Sequence, residues 1–263
     1  YELKIEDYFK WHTNDPVCFK KVGLQQAISY PLFCNKHDTE LFAPIEGETI
    51  DFDDYVSLLL FSYRGICSEI RKKEFVQLRC EAWDDNDVKN SSLKGTEKGL
   101  CDLKYYKFLF EKELKSPSRK FCFRHFTYPF IPVYACGSSS YEPVNYENAL
   151  SVENSLNKKV WDAFFVNVIP QKDSLEIIIG FHKNHANSDL RHYVDSWQGL
   201  SLGKLQVKLT DLFVARLEMW GMSPSLYRSL SEEKKKLFLD NLRNVHSNLC
   251  NDIKNELDFN LFS

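Results

Sequence analysis

Trp161-Asp162-Ala163-Phe164-Phe165-Val166-Asn167-Val168-Ile169-Pro170-Gln171-Lys172-Asp173-Ser174-Leu175-Glu176-Ile177-Ile178-Ile179-Gly180-Phe181 is the stretch that decides the fold. Two runs dense in Val, Ile and Phe, Trp161–Ile169 and Ser174–Phe181, flank the break Pro170-Gln171-Lys172-Asp173. Branched and aromatic side chains suit a pleated strand, and a short polar break between two such runs marks a hairpin. Side chains alternate across a strand. Phe165, Asn167 and Ile169 therefore share one face of the first strand, and Leu175, Ile177 and Ile179 share one face of the second. The pattern predicts an antiparallel hairpin within an antiparallel sheet.

Working outward, Phe121 to Cys136 is also strand-like, and Gly137-Ser138-Ser139-Ser140 reads as a loop. On the N-terminal side the period changes. Tyr55, Leu58, Leu59, Ser62, Ile66 and Ile70 recur at helical spacing and predict a long helix over 52–82, with Thr49 or Asp51 as its N-cap. Leu103, Tyr106, Phe110 and Leu114 predict a second helix over 100–115, stopped by Ser116-Pro117-Ser118. The polar stretch Asp84–Glu97 reads as a linker between them. Helices return over 188–257, as Ser188–Gln198, Lys204–Trp220 and Glu232–Leu257. Residues 1–32 read as irregular, with turn signals at Asn14-Asp15-Pro16 and Tyr30-Pro31. Helices, then strands, then helices give the α+β class. The helix near Val56–Leu78 and the C-terminal helices are expected to pack the sheet.

The totals bound what the chain can do. Its 263 residues suffice for a full hydrophobic core. Twenty Phe, thirteen Tyr and five Trp make it aromatic, and a net charge of −3 gives no global pull toward nucleic acid. A nucleic-acid surface would have to be a local patch. The most apolar runs, near Val56–Phe61 and Ile177–Phe181, are far shorter than the roughly 20 residues that span a bilayer, and no signal peptide is visible. No membrane association is expected. Eight cysteines are scattered without a disulfide spacing, which suits a reducing, cytoplasmic compartment.

Phe33-Cys34-Asn35-Lys36-His37-Asp38 carries the densest chemistry, at the point where a loop turns into a short helix that Pro44 ends. Cys34 and His37 have the C-x2-H spacing of half a zinc site. A tetrahedral site needs two more ligands, and no Cys-x2-Cys pair precedes Cys34. Asp38 is a hard oxygen donor suited to Mg²⁺, or else an N-cap carboxylate for the helix it opens. The chain begins at Tyr1 rather than Met. It reads as a piece of a longer product, whose N-terminal part holds the other half of the site.

Around this segment the chain resembles a family of prokaryotic HNH-like treble-clef proteins. The resemblance runs from Lys21-Val22-Gly23-Leu24-Gln25-Gln26-Ala27 through Cys34–Glu46 to Ser62-Tyr63-Arg64 and Glu69-Ile70-Arg71-Lys72-Lys73-Glu74. A weaker echo spans Leu217-Glu218-Met219-Trp220 to Ser223-Pro224. In such proteins a Cys-x2-Cys knuckle and a Ser-His-Ile-like strand come before a segment like this one. The resemblance implies that Cys34 and His37 are the second zinc-ligand pair and that 1–48 is the C-terminal part of a zinc unit ahead of an α+β body, 49–263. It implies that Asp38 faces a catalytic Mg²⁺ or Mn²⁺, and that the water-activating His lies upstream of Tyr1. His12 is not in a Ser-His-Ile context. The implied activity is metal-dependent endonucleolytic cleavage, with a role in prokaryotic defence against phage. The alternative is a non-catalytic zinc-stapled module that binds nucleic acid or a protein partner.

Four other groups have two readings each. Arg64, Arg71, Lys72 and Lys73 are candidate phosphate contacts, or a solvated helix face paired with Glu69 and Glu74. His182, His185, Asp189 and His192 could share a helix face and hold a metal, or form a polar face after the hairpin. Arg119-Lys120 and Arg124-His125, interleaved with Phe121, Phe123 and Phe126, form a basic-aromatic stripe or an edge strand with alternating faces. Gly137-Ser138-Ser139-Ser140 lacks the Gly-x4-Gly-Lys pattern of a phosphate loop. A nucleophilic Ser138 or Ser139 would need a nearby base that the sequence does not display.

Overall fold

A computed structural model describes residues 1–5, 17–47, 49–81, 86–141, 159–247 and 259–263. His12, Asp84 and residues 248–257 of the last predicted helix lie outside the described residues.

The predicted hairpin forms. Strands β5 (Ala163–Pro170) and β6 (Ser174–His182) pair antiparallel, with Phe165 opposite Gly180 and Asn167 opposite Ile178. They lie inside a seven-stranded sheet of order β2-β1-β7-β4-β5-β6-β3 in which every pairing is antiparallel. The other strands are β1 (Glu2–Ile5), β2 (Val17–Lys20), β3 (Phe121–Pro129), β4 (Val133–Ser140) and β7 (Trp220–Met222). The class is α+β, as expected.

Helices cover both faces, so β5 and β6 are apolar on both sides and read as nearly continuous hydrophobic runs. On one face Phe164, Val166, Val168, Ile177 and Ile179 pack with Leu190, Val194 and Trp197 and with Leu205, Leu209 and Phe238. These come from α4 (Ser188–Asp195) and the turn after it, α5 (Leu202–Asp211) and α7 (Glu232–Ser247); a short α6 (Pro224–Ser229) precedes α7. On the other face Phe121, Ala163 and Phe165 meet Leu59, Tyr63 and Ile66 of α2 (Tyr55–Glu81) and Leu103, Tyr106 and Phe110 of α3 (Asn86–Lys115). Phe42 and Ile45 of α1 (Asn35–Glu46) complete that second core. Full burial of one such side chain contributes about 1.5–3 kcal/mol, so the two cores hold the three layers together.

Several local expectations change. Residues 1–32 contain β1 and β2, and β1 joins the main sheet through Glu2 opposite Gly221. The linker is helical from Asn86 onward. Once Leu100, Leu103, Tyr106 and Phe110 dock, propagation adds one hydrogen bond per residue fixed, and polarity does not oppose it. The Lys204–Trp220 helix stops at Asp211, passes through one π-turn (Leu212–Arg216), and gives way to β7. Trp220 and Met222 are buried there, opposite Ala135 and Val133.

Gly137-Ser138-Ser139-Ser140 is strand rather than loop, paired in register with β5 from Val166 back to Ala163. Pro44 lies inside the last turn of α1 rather than beyond it. Asp54, not Thr49 or Asp51, receives the Ser57 N–H at the start of α2; Asp51 receives the N–H groups of Asp53 and Asp54 one step earlier.

Candidate metal site and charged surroundings

Cys34 is the N-cap of α1, with extended backbone (φ −73°, ψ 155°) and a side chain that makes no capping bond. Its sulfur is therefore free to turn toward His37, one turn along, and Sγ lies 3.2 Å from Nδ1. Both residues are exposed. Phe33 anchors the approach, with its ring 4.9 Å from Phe42 and 6.0 Å from Tyr63. Zinc bonds of about 2.3 Å to sulfur and 2.0–2.1 Å to nitrogen at a tetrahedral angle put the two donors about 3.5 Å apart. The donor pair thus fits half of a zinc shell with a small side-chain rotation.

Asp38 does not join them. Its carboxylate accepts from Arg64 Nη2 at 3.1 Å, and the same nitrogen donates to Glu46 at 2.6 Å. The guanidinium also lies 4.7 Å over the Phe42 ring. Asp38 is not the N-cap either: it stands in the first turn, where its own N–H donates to the Cys34 carbonyl. Among the described residues no three His, Cys, Asp or Glu side chains are gathered to hold a metal.

The candidate phosphate contacts do not form one surface. Arg64 is held between Asp38 and Glu46, and Arg71 pairs with Glu74 at 3.1 Å and lies over Phe75. Lys72 turns inward to Glu218. Burial works to lower its pKa, but Glu218 and Glu69 outweigh burial and hold it above the usual lysine value. Lys73 packs its stem against Gly99 of α3.

The histidine cluster is also rearranged. α4 starts at Ser188, capped by Asn187, so His185 stands in the preceding turn and not on the helix face with Asp189 and His192. His185 meets the Tyr105 hydroxyl at 3.2 Å, and its ring centre is 5.2 Å from that of buried His182. The basic-aromatic stripe is β3, an edge strand of the sheet.

One polar group escaped the sequence reading. Glu69 is buried beneath α2 against β4, near Cys136, and burial pushes both their pKa values up, the thiol to about 12. A charged residue inside an apolar helical stripe was the signal, and its pairing through Lys72 hid it. Cys136 is thus no thiolate nucleophile at neutral pH.

No family model, curated protein or solved structure matches the chain. Among the described residues no helix is long and apolar enough to cross a membrane.

Proposed function

We propose that the protein is a metal-dependent endonuclease of the HNH type, stapled by zinc at Cys34 and His37. The observation that carries this reading is the 3.2 Å approach of Cys34 Sγ to His37 Nδ1 at the exposed start of α1. Two further ligands come from outside the described residues or from a partner chain. Zinc there would be structural, fixing the loop before α1 to the helix. A divalent ion such as Mg²⁺ or Mn²⁺ would stabilise charge on a scissile phosphate. Asp38 supplies the hard oxygen for it, and Arg64 sets the orientation of that carboxylate. Cys34, Cys67, Cys101, Cys122 and Cys136 carry free thiols, in keeping with a reducing, cytoplasmic setting, and defence against phage is the role we assign.

A second reading keeps the zinc staple without the chemistry, as a module that binds nucleic acid or a protein partner. The Arg64–Asp38 ion pair favours it, because it already engages the carboxylate.

Metal analysis of the full-length protein beside Cys34→Ser tests the staple: zinc should fall sharply in the variant, and equal zinc content refutes the site. Asp38→Ala separates the two readings. Under the nuclease reading it abolishes cleavage of plasmid DNA or RNA while folding and zinc content persist. Unchanged cleavage per folded molecule removes Asp38 from the chemistry.

A further inference from the structure

At the free edge of the sheet, between the approach to α2 and β3, lies an open cavity of about 330 Å³. Phe52, Tyr55, Phe123, Arg119, His125 and Lys183 are among its lining residues. None of these belongs to the Cys34–His37 site.

Arg119 adopts a left-handed backbone, φ 54°, although it is not glycine. Such conformations are strained and concentrate where a side chain must be aimed. Arg119 is exposed, so core packing does not demand an arginine there. Its guanidinium lies 5.2 Å over the Tyr55 ring. Among the described residues, neither Arg119 nor Lys183 has a carboxylate partner, whereas Arg64, Arg71 and Lys72 each have one. Lys183 is tied to the same strand end, its N–H donating to the Lys120 carbonyl at 2.9 Å.

The aromatic wall is built as firmly. The His125 ring stacks on Phe52 with centres 5.1 Å apart, and His125 Nε2 meets Glu176 at 2.7 Å. Glu176 is buried and also accepts from Thr127 and Ser174, so it holds the imidazole in place. Asp53 is the carboxylate in the lining, 97% exposed and 3.8 Å from His125 Nδ1. The lining itself thus carries the cations Arg119 and Lys183 against the single carboxylate of Asp53, with Glu113 and Glu176 held behind the wall by Tyr55 and His125.

We infer that this cavity binds single-stranded nucleic acid, one base stacking on the aromatic wall at Tyr55 and Phe123 and the phosphates on either side of it lying one on Arg119 and one on Lys183. Sites for single strands combine aromatic platforms with cations along the backbone, and ligand cavities begin at about 300 Å³, the scale of a nucleotide. The inference does not rest on the zinc reading, because neither zinc content nor cleavage enters its test.

The test is fluorescence anisotropy of labelled hexathymidylate with the full chain, displaced by thymidine 5′-monophosphate, thymidine, inorganic phosphate or a phosphoserine peptide. The monophosphate should displace the probe, with thymidine and phosphate each weaker by about tenfold or more, as a stacked base implies. The slope of log affinity against log salt should be about −1.4 for two single-strand phosphate contacts. Arg119→Gly relieves the backbone, so the thermal midpoint should hold or rise. Binding should nonetheless weaken about fivefold or more, and the slope should shrink by about 0.7. Lys183→Gln should weaken binding likewise. Absence of binding overturns the inference, as does unchanged affinity in both variants. Phosphate or the phosphopeptide competing as well as the monophosphate overturns it too, since charge alone would then suffice.

Discussion

Glu69 Oε1 lies 2.7 Å from the point where a Cβ on residue 137 would stand, and residue 137 is glycine with φ +154°. The strand leaves out a side chain where α2 inserts the buried carboxyl group of Glu69. Burial pushes the pKa of that carboxyl up, Lys72 opposes the shift, and Glu218 reinforces it.

Gly137→Ala should therefore destabilise the protein by about 2–3 kcal/mol, through overpacking and a backbone that L-residues rarely adopt. Urea unfolding reads it. Glu69→Ala in the same chain should recover part of the loss, because the carboxylate is the atom struck first; strictly additive effects would refute that contact.

Glu113 holds the turn after α3. It is 3% exposed and accepts from Tyr55 Oη, Ser118 N and Ser118 Oγ, each at 2.8 Å, and from Lys120 N at 3.1 Å. Burial alone would raise its pKa, but these donors outweigh burial and hold it below the ordinary value of 4.5. A depressed carboxyl pKa stabilises the fold above the ordinary value, and that stability is lost as pH falls through the folded value. Glu113→Ala should cost about 3 kcal/mol at pH 7, since several donors lose their acceptor together. The gap between variant and parent should narrow below about pH 4. A gap constant with pH would mean that the carboxylate charge plays no part.

His182 also titrates lower in the folded chain, but because its charged form is disfavoured rather than favoured. Burial, then His185 and Lys120, lowers its pKa from 6.5 to about 4, with Glu113 pulling the other way. Its Nδ1 accepts from Asn184 N at 3.3 Å, so the neutral ring carries its proton on Nε2. Between pH 6.5 and about 4 the unfolded chain binds a proton that the folded chain refuses. Stability should fall by about 3 kcal/mol across that window and level off below it. His182→Gln should flatten this part of the stability profile while leaving the Glu113 decline at lower pH. An unchanged profile in the variant would assign the window to another group.

Elements with strong local periods were legible. The β5–β6 hairpin could be read from Trp161–Phe181, and the α2 stripe from Tyr55, Leu59, Ile66 and Ile70. The closeness of Cys34 and His37 was legible too, because three residues at a helix start bring side chains onto one turn. β1, β2 and β7 were not. Each has three or four residues, too few to display a period, and becomes a strand by pairing with chain far away in sequence. Trp220 fits a helix stripe as well as a strand until Ala135 lies opposite it.

The charged residues divide the same way. Sequence by itself determined the α+β class, the central hairpin and the sulfur–imidazole pair at the head of α1, because all three follow from the spacing of neighbours. Only the tertiary structure decided that Arg64 holds Asp38, that Lys72 turns to Glu218 while Arg119 and Lys183 have no carboxylate partner among the described residues, and that Glu69 faces a glycine. Partners 26 to 146 residues apart meet only after the sheet has formed and α2 has docked on it, and no local pattern encodes that meeting.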